Sequence, residues 1–257
     1  MTNDQRRARL GALPWTTAEA SRGARDPLTR DQIVAAATRL VDAEGLRALS
    51  MRRLGQELDA GATSLYWHVK DKHQLEDLML DTLIGEVAAD VRPADGWRAS
   101  LAELARARRR VLLRHRHIAP LLGERPTTGP HALDATERVM GILRGAGFDD
   151  RTTSLASGAL IDYASGFALF ESRSPGGASD TRDARAMAEP VRTFLRALSP
   201  ERYPNLLAVA GVAIDEDDRF EYGLQRLLDG FETDLGRSGT DRRDADRPTG
   251  PNAMLLR

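Results

Sequence analysis

Residues 49–72 read LSMRRLGQELDAGATSLYWHVKDK, and this pattern predicts two short helices joined by a tight turn. Ser50 is a good helix N-cap, because its hydroxyl can accept a hydrogen bond from a backbone N–H that the first turn leaves free. Leu54 and Leu58 are four residues apart, so they lie on one buried face of the first helix. Residues 59–61, Asp-Ala-Gly, form the turn.

The second helix follows the turn directly and is short and polar. Leu65 and Val69 share its inner face. Its outward residues are Thr63, Ser64, Tyr66 and His68. Small hydroxyls at a helix N-terminus can reach base edges and phosphates, and the helix dipole there favours an anion. The stretch therefore predicts a helix-turn-helix, the motif whose second helix lies in the DNA major groove.

The segment LYWHVKDK at residues 65–72, preceded by LSMRRLGQEL at 49–58, resembles the DNA-binding domain of the tetracycline repressor (TetR) family. Residues 65–72 match the end of the family's third helix and its junction with the fourth. One departure is Asp59, where the family usually has glycine. Because Asp tolerates a left-handed backbone better than most residues, we expect the turn to form.

The resemblance implies a set of residues that contact double-stranded operator DNA. They are Arg52, Ala62, Thr63, Ser64, Tyr66, His68 and Lys72. The last three are expected at phosphates. Because the Ala62 side chain cannot hydrogen-bond, direct readout of bases falls to Arg52, Thr63 and Ser64, and the operator should differ from the tetracycline operator. Trp67 is expected in the core.

Composition supports a globular DNA-binding protein and gives no sign of an enzyme. The chain has 257 residues, 41% hydrophobic and 29% charged, with no cysteine. Residues 1–72 contain 12 Lys and Arg against 9 Asp and Glu, a net +3, so the remaining 25 and 29 give −4. No nucleophile–base pair, phosphate loop or zinc spacing is present, so we expect no catalytic residue, cofactor or metal. Without a signal peptide or membrane-spanning run, we expect a cytoplasmic protein.

The predicted fold is all-α, with a three-helix head and a helical second domain. The head covers residues 28–72, and the ligand-binding and dimerisation domain covers 73–236. Residues 237–257 are expected to be a disordered tail. Residues 1–27 are expected to be a flexible basic arm; alternatively, the arm contacts phosphates or a minor groove.

Two predicted helices, 149–171 and 217–235, have more apolar surface than one small bundle can bury. We therefore expect a homodimer, the arrangement that the resemblance also implies, with two heads on a palindromic operator. The alternative is that these apolar faces belong to an intramolecular core.

Three short segments resemble the second domain of the family and occur in the same order: Gly96-Trp97, Leu112–His115 and Leu122–Thr127. Aligned from these segments, the family's drug-contacting residues are not kept. The family's drug-contacting His, Asn and Phe fall on Ala88, Leu104 and Arg108, and its magnesium-ligating His falls on Leu121. Since leucine cannot ligate a cation, we expect no binding of magnesium–tetracycline. A cavity is expected at the same place, lined by Leu104, Leu121 and Phe167 with polar Arg108, Arg125 and Glu137. Alternatively, these residues form core and salt bridges.

The sequence thus predicts a ligand-responsive transcriptional regulator, a repressor released from a palindromic operator by a small molecule. The alternative is an effector-independent dimeric DNA-binding factor. A sensor of many drugs and a sensor of one ligand are both compatible with this sequence.

Overall fold

The computed structural model describes residues 28–125, 127–173, 190, 193–212 and 214–245, and these ranges contain helices but no strand. The all-α prediction is therefore confirmed. The predicted arm, residues 1–27, and the last part of the predicted tail, residues 246–257, lie outside the described residues. The helices are α1 (Arg30–Glu44), α2 (Met51–Glu57), α3 (Ala62–Leu65), α4 (Lys72–Asp90), α5 (Gly96–Arg114), α6 (Pro130–Gly145), α7 (Asp150–Glu171), α8 (Pro204–Val209) and α9 (Glu216–Ala245).

The helix starts in the head are set by local capping residues. Thr29 and Gln32 form a capping box on α1, with the Thr29 Oγ1 atom 3.2 Å from the Gln32 amide and the Gln32 Oε1 atom 2.9 Å from the Thr29 amide. Ser50 accepts a hydrogen bond from the Arg53 amide, 3.1 Å away, at the start of α2. These contacts satisfy amides that the first helical turn leaves without partners, as the sequence predicted for both helices.

The turn between α2 and α3 contains the residue that departs from the family pattern. Asp59 has φ = +47°, in the left-handed region, and no other non-glycine residue among the described ranges has a positive φ. The backbone thus has the conformation for which glycine is the usual choice. The expectation that the turn forms with Asp at this position is confirmed.

The head is closed around a small apolar core and continues without a break into the second domain. Ile33, Leu40, Leu54, Leu65 and Val69 are buried where α1, α2 and α3 meet. Helix α4 packs against α1 at one side and against α5 and α6 at the other. One continuous 19-residue helix therefore connects the head to the second domain.

The second domain has α5 and α7 at its centre, with α6 and α9 packed around them. Its core includes Leu101, Leu143, Leu160, Phe220 and Leu224, all nearly inaccessible to solvent. None of the helices described is long and apolar enough to cross a membrane.

The predicted start of a disordered tail at residue 237 is wrong, because α9 continues to Ala245. Residues 237–245 contain one glycine and no proline; the first proline after α9 is Pro248. No proline interrupts the backbone hydrogen bonding of this polar segment, so the helix can continue to Ala245.

Candidate DNA-binding surface and effector cavity

The exposed end of the helix-turn-helix is formed by α3 and the turn that follows it. Helix α3 is a single turn, and Leu65, its last residue, is buried. Thr63, Ser64 and Tyr66 are exposed beside it, and the Tyr66 side chain is 52% accessible. A helix N-terminus with two hydroxyls and a phenol at the surface can contact phosphates and base edges.

The neighbouring arginines of α2 differ in their partners. Arg53 forms ion pairs with Glu44 at 2.8 Å and with Glu57 at 3.1 Å. Arg52 is exposed and has no ion pair among the residues that the structure describes. Arg53 therefore stabilises the head, whereas the Arg52 guanidinium is available for an external anion.

The other two predicted phosphate contacts lie at the entry to α4. The His68 carbonyl accepts a hydrogen bond from the Arg30 Nε atom, 3.3 Å away, which ties the turn after α3 to α1. The Lys72 Nζ atom is 3.7 Å from a Glu76 carboxylate oxygen, and the Lys72 side chain is 40% accessible. Both residues follow Tyr66 closely in the chain.

The expectation that Trp67 lies in the core is wrong, since its side chain is 81% accessible. Leu65 and Val69 already fill the inner face, and both are buried. A residue midway between them on a helical turn points to the opposite side. Trp67 therefore joins the exposed surface of the head, and its i+2 position relative to Leu65 was the sequence feature that could have shown this.

A cavity lies in the second domain where α4, α5, α6 and α7 meet. Its volume is about 40 Å³. The lining residues are Val87, Leu104, Ala105, Arg108, Ala135, Val139, Leu160, Ile161 and Ala164. All of them are aliphatic except Arg108, so the walls combine apolar surface with one cation.

Arg108 is partly buried at this cavity, and its Nε atom donates a hydrogen bond to the Ser165 hydroxyl oxygen at 2.6 Å. Burial lowers the pKa of the Arg108 guanidinium to about 10, and the negative charge of Asp162 opposes that shift. A lowered pKa in an arginine means that the surroundings solvate its charge poorly. The group remains charged at neutral pH.

The six predicted ligand-binding residues are only partly brought together. Leu104 and Arg108 line the cavity, but the other four lie elsewhere. Leu121 is buried in the core shared with the head, and Glu137 is exposed on α6. These residues follow from matching short anchor segments, which cannot show how neighbouring side chains pack.

The remaining two predicted residues have structural partners, as the alternative of core and salt bridges proposed. Arg125 binds the Asp77 carboxylate and lies 3.5 Å from Glu76. Phe167 packs edge-on against Phe220, with ring centroids 5.2 Å apart. The sequence missed the aliphatic lining residues other than Leu104, because periodicity identifies buried positions without showing which of them face a void.

Among the polar contacts that fasten α4 to the rest of the molecule, those of Asp81 and Glu86 reach α6 and the end of α5. Near its middle, Asp81 accepts hydrogen bonds from the Ala132 amide at 3.1 Å and the His131 amide at 3.4 Å, so it caps the N-terminus of α6. Near its end, Glu86 is 2.9 Å from the Nε2 atom of His115, whose Nδ1 atom is 2.7 Å from Asp42 of α1. His115 thus joins α4 to the head at the end of α5.

Comparison with known proteins agrees with this architecture. Residues 33–77 match the family model described as "Bacterial regulatory proteins, tetR family", and residues 91–235 match "Tetracyclin repressor-like, C-terminal domain". The second match alone spans more than half of the chain. This chain belongs to the TetR family. It is therefore a regulatory protein with a helix-turn-helix head, and not an enzyme.

Several TetR-family relatives are similar over most of their length. The HTH-type transcriptional repressor DrrR1 of Streptomyces coeruleorubidus is 36% identical over 234 residues, which is 88% of this chain and 85% of the relative. The crystal structure of apo ActR from Streptomyces coelicolor is 35% identical, with a TM-score of 0.72 over 84% of this chain and 100% of ActR. ActR in complex with actinorhodin is 36% identical, with a TM-score of 0.72 over 82% and 99%.

Proposed function

We propose that this TetR-family protein is a homodimeric repressor that a small molecule other than magnesium–tetracycline releases from a palindromic operator. The observation that supports this is the course of α4. The helix begins at Lys72, beside the exposed end of the head, and includes Val87, which lines the cavity. A displacement of α4 at the cavity would therefore move the head.

The volume of the cavity supports such a displacement. Drug-sized ligands occupy pockets of roughly 300–1,000 Å³, whereas this cavity has about 40 Å³. A ligand can enter only if the walls move apart, and Val87 belongs to one of those walls. The ligand would then bind one arrangement of the heads better than the other, which is the condition for it to shift the equilibrium.

The DNA-binding residues remain those inferred from the family pattern, with one addition. We assign operator contacts to the exposed end of the head, which presents hydroxyls, a phenol and two cations. The residues are Arg52, Ala62, Thr63, Ser64, Tyr66, His68 and Lys72. Trp67 is added because of its exposure. Contacts to the DNA phosphates set the orientation of the head on the duplex, and the hydroxyls and Arg52 supply direct readout of bases.

Dimerisation is supported by apolar surface on the outer faces of α7 and α9. Leu155 is 61% accessible and Tyr222 is 71% accessible. Next to Leu155 on α7, a Cβ added at Gly158 would meet nothing within 4 Å, so a second helix could approach closely. We propose that α7 and α9 pack against their symmetry mates, which would place two heads on successive half-sites.

The nature of the effector is supported by the relatives and by one substitution. ActR has been crystallised with actinorhodin and with (S)-DNPA, so a protein of similar fold binds small organic molecules. In this chain, Leu121 occupies the position of the magnesium-ligating histidine and is a fully buried aliphatic residue. We therefore propose an organic effector that binds without a metal.

Selection of bound duplexes from a random pool tests the DNA-binding part of this proposal. The expected result is a palindrome whose half-sites lie about one helical turn or more apart. Titration of candidate ligands against the protein–operator complex, followed by fluorescence anisotropy of the labelled duplex, then tests release. Palindrome binding that no ligand weakens would instead favour the alternative, an effector-independent dimeric factor.

A further inference from the structure

The arginines of α5 fall into two groups according to their partners. Five of them form ion pairs with carboxylates. These are Arg98 with Asp229 and Glu232, Arg106 with Glu221, Arg109 with Glu171 and Asp217, Arg110 with Asp90 and Glu103, and Arg114 with Glu86 and Asp90. Arg108, on the same helix, has no carboxylate within ion-pair distance among the described residues. Its partner is a hydroxyl.

That hydroxyl occupies only one of the five N–H groups of the Arg108 guanidinium. The Ser165 Oγ atom donates its own proton to the Ile161 carbonyl, 2.5 Å away, so it accepts from the Arg108 Nε atom. The two Nη atoms of Arg108 make no hydrogen bond to any described residue. Because an arginine has four N–H donors on these atoms, most of the Arg108 donors have no partner among the described residues and are available to a ligand.

The walls of the cavity stabilise the Arg108 charge poorly. The other eight lining residues of the cavity are aliphatic and cannot solvate a charge. Asp162 is the acid that influences Arg108, but its side chain is exposed and does not reach ion-pair distance. A poorly solvated cation attracts an anion more strongly than a cation in water does.

We propose that the effector carries an acidic group, a carboxylate or a phenolate, that binds the free edge of the Arg108 guanidinium. This inference rests on the proposed function, since it describes the ligand of the same cavity. The effector is an apolar organic acid, with its hydrocarbon part against the aliphatic walls and its anion paired in a bidentate manner with Arg108. Arg108 is then the residue that selects anionic ligands over neutral ligands of the same shape.

Two probes that differ only in charge test the proposal: 2-naphthoate and 2-naphthamide. Their affinities for the full-length protein are measured by isothermal titration calorimetry at pH 7.5, without DNA. We expect naphthoate to bind at least about tenfold tighter, because hydrogen bonds to charged groups are the stronger class. Equal affinity of the two probes, or binding of neither, would overturn the proposal. This comparison uses the unmodified chain, so no variant has to fold.

Matched variants then assign the preference to Arg108. Arg108→Met should remove most of the naphthoate preference and leave the naphthamide affinity within about threefold. Arg106 lies on the same helix but is paired with Glu221 outside the cavity. Arg106→Met should therefore retain the preference for naphthoate over naphthamide. Retention of the preference in Arg108→Met would assign the selection to another group and overturn the proposal.

Thermal unfolding distinguishes a ligand-binding role of Arg108 from a purely structural role, for which Arg108→Met would lower the melting temperature. Removing a partly buried cation that has no ion pair should leave the melting temperature of Arg108→Met unchanged or raised. Operator release is measured separately, so the two proposals can fail independently. If a neutral ligand releases the operator, the proposed function stands and the acidic effector is wrong. If naphthoate binds through Arg108 but does not release the operator, the preference of the cavity for an acidic ligand stands and release by that ligand is wrong.

Discussion

The contact between Gly129 and Asp81 allows a quantitative test of how α4 is fastened to α6. Gly129 is the N-cap residue of α6 and has no side chain to satisfy the helix amides. Asp81 supplies the missing acceptor from α4. A Cβ placed on Gly129 would lie 2.1 Å from the Asp81 Oδ1 atom and 2.2 Å from its Cγ atom. The Asp81 carboxylate must therefore leave its position in a Gly129→Ala variant.

The expected cost follows from the bonds that are lost. Removing a helix cap costs about 1 kcal/mol, and a carboxylate at a partly buried helix N-terminus contributes up to about 2 kcal/mol. These contributions overlap, so we expect Asp81→Ala to lower the free energy of unfolding by about 2 kcal/mol. Gly129→Ala should cost about the same, because it displaces the same carboxylate. Its backbone, with φ of −72°, suits alanine and adds no strain.

The two changes should therefore not be additive. In the Asp81→Ala background the added methyl group meets no carboxylate, so Gly129→Ala should cost roughly nothing there and the coupling free energy should be about 2 kcal/mol. Urea unfolding followed by circular dichroism at one fixed protein concentration measures all four proteins. Gly141→Ala is the matched control on α6, since Gly141 is exposed and its added Cβ meets nothing within 4 Å. It should stabilise the helix by up to about 1 kcal/mol.

Additive costs in the double variant would refute this reasoning. They would show that Gly129 and Asp81 act through different contacts. A Gly129→Ala variant as stable as Gly141→Ala would also refute it, because the carboxylate would then move without loss of a hydrogen bond.

Three further predictions concern the head and α5. Tyr66→Ala should weaken DNA binding across sequences with little change in its salt dependence, whereas Lys72→Ala should lower the slope of log K against log salt by about one; an unchanged slope for Lys72→Ala would exclude a phosphate contact. Asp59→Gly should leave the melting temperature close to that of the parent, but Asp59→Val should cost about 1–2 kcal/mol, because a β-branched residue does not tolerate a positive φ. The Arg110 hydrogen bond holds the pKa of Asp90 below its ordinary value of 3.8. The folded state therefore binds fewer protons than the unfolded state, so this stabilisation is present above pH 3.8 and is lost as the pH falls below it; Arg110→Gln should make the fall of the urea midpoint with pH shallower.

Much of the fold could be predicted because it depends on neighbours in sequence. The capping box at Thr29, the cap at Ser50 and the turn at Asp59 each act within four residues, and the structure has all three as expected. The end of α9 was not predictable in this way, because polar residues without proline are compatible with either helix or coil. The position of Trp67 was missed although its spacing from Leu65 and Val69 contained the answer.

Most of the residues that line the effector cavity could not be predicted from the sequence. A helical period identifies which residues of α5 and α7 are buried, but a void forms only where four helices fail to fill the space between them. Arg108 illustrates the same limit. Its neighbours on α5 have the same side chain and charge, and the sequence could propose only that Arg108 turned inward.

The sequence by itself determined the family, the all-α fold and the helix-turn-helix, because caps, turns and helical periodicity are encoded by residues that are close in the chain. Only the tertiary structure decided which arginine of α5 lacks a carboxylate, which residues line the cavity and how Asp81 fastens α4 to α6. Those features depend on side chains of different helices that meet only after packing, as Asp81 and His131, 50 positions apart, do.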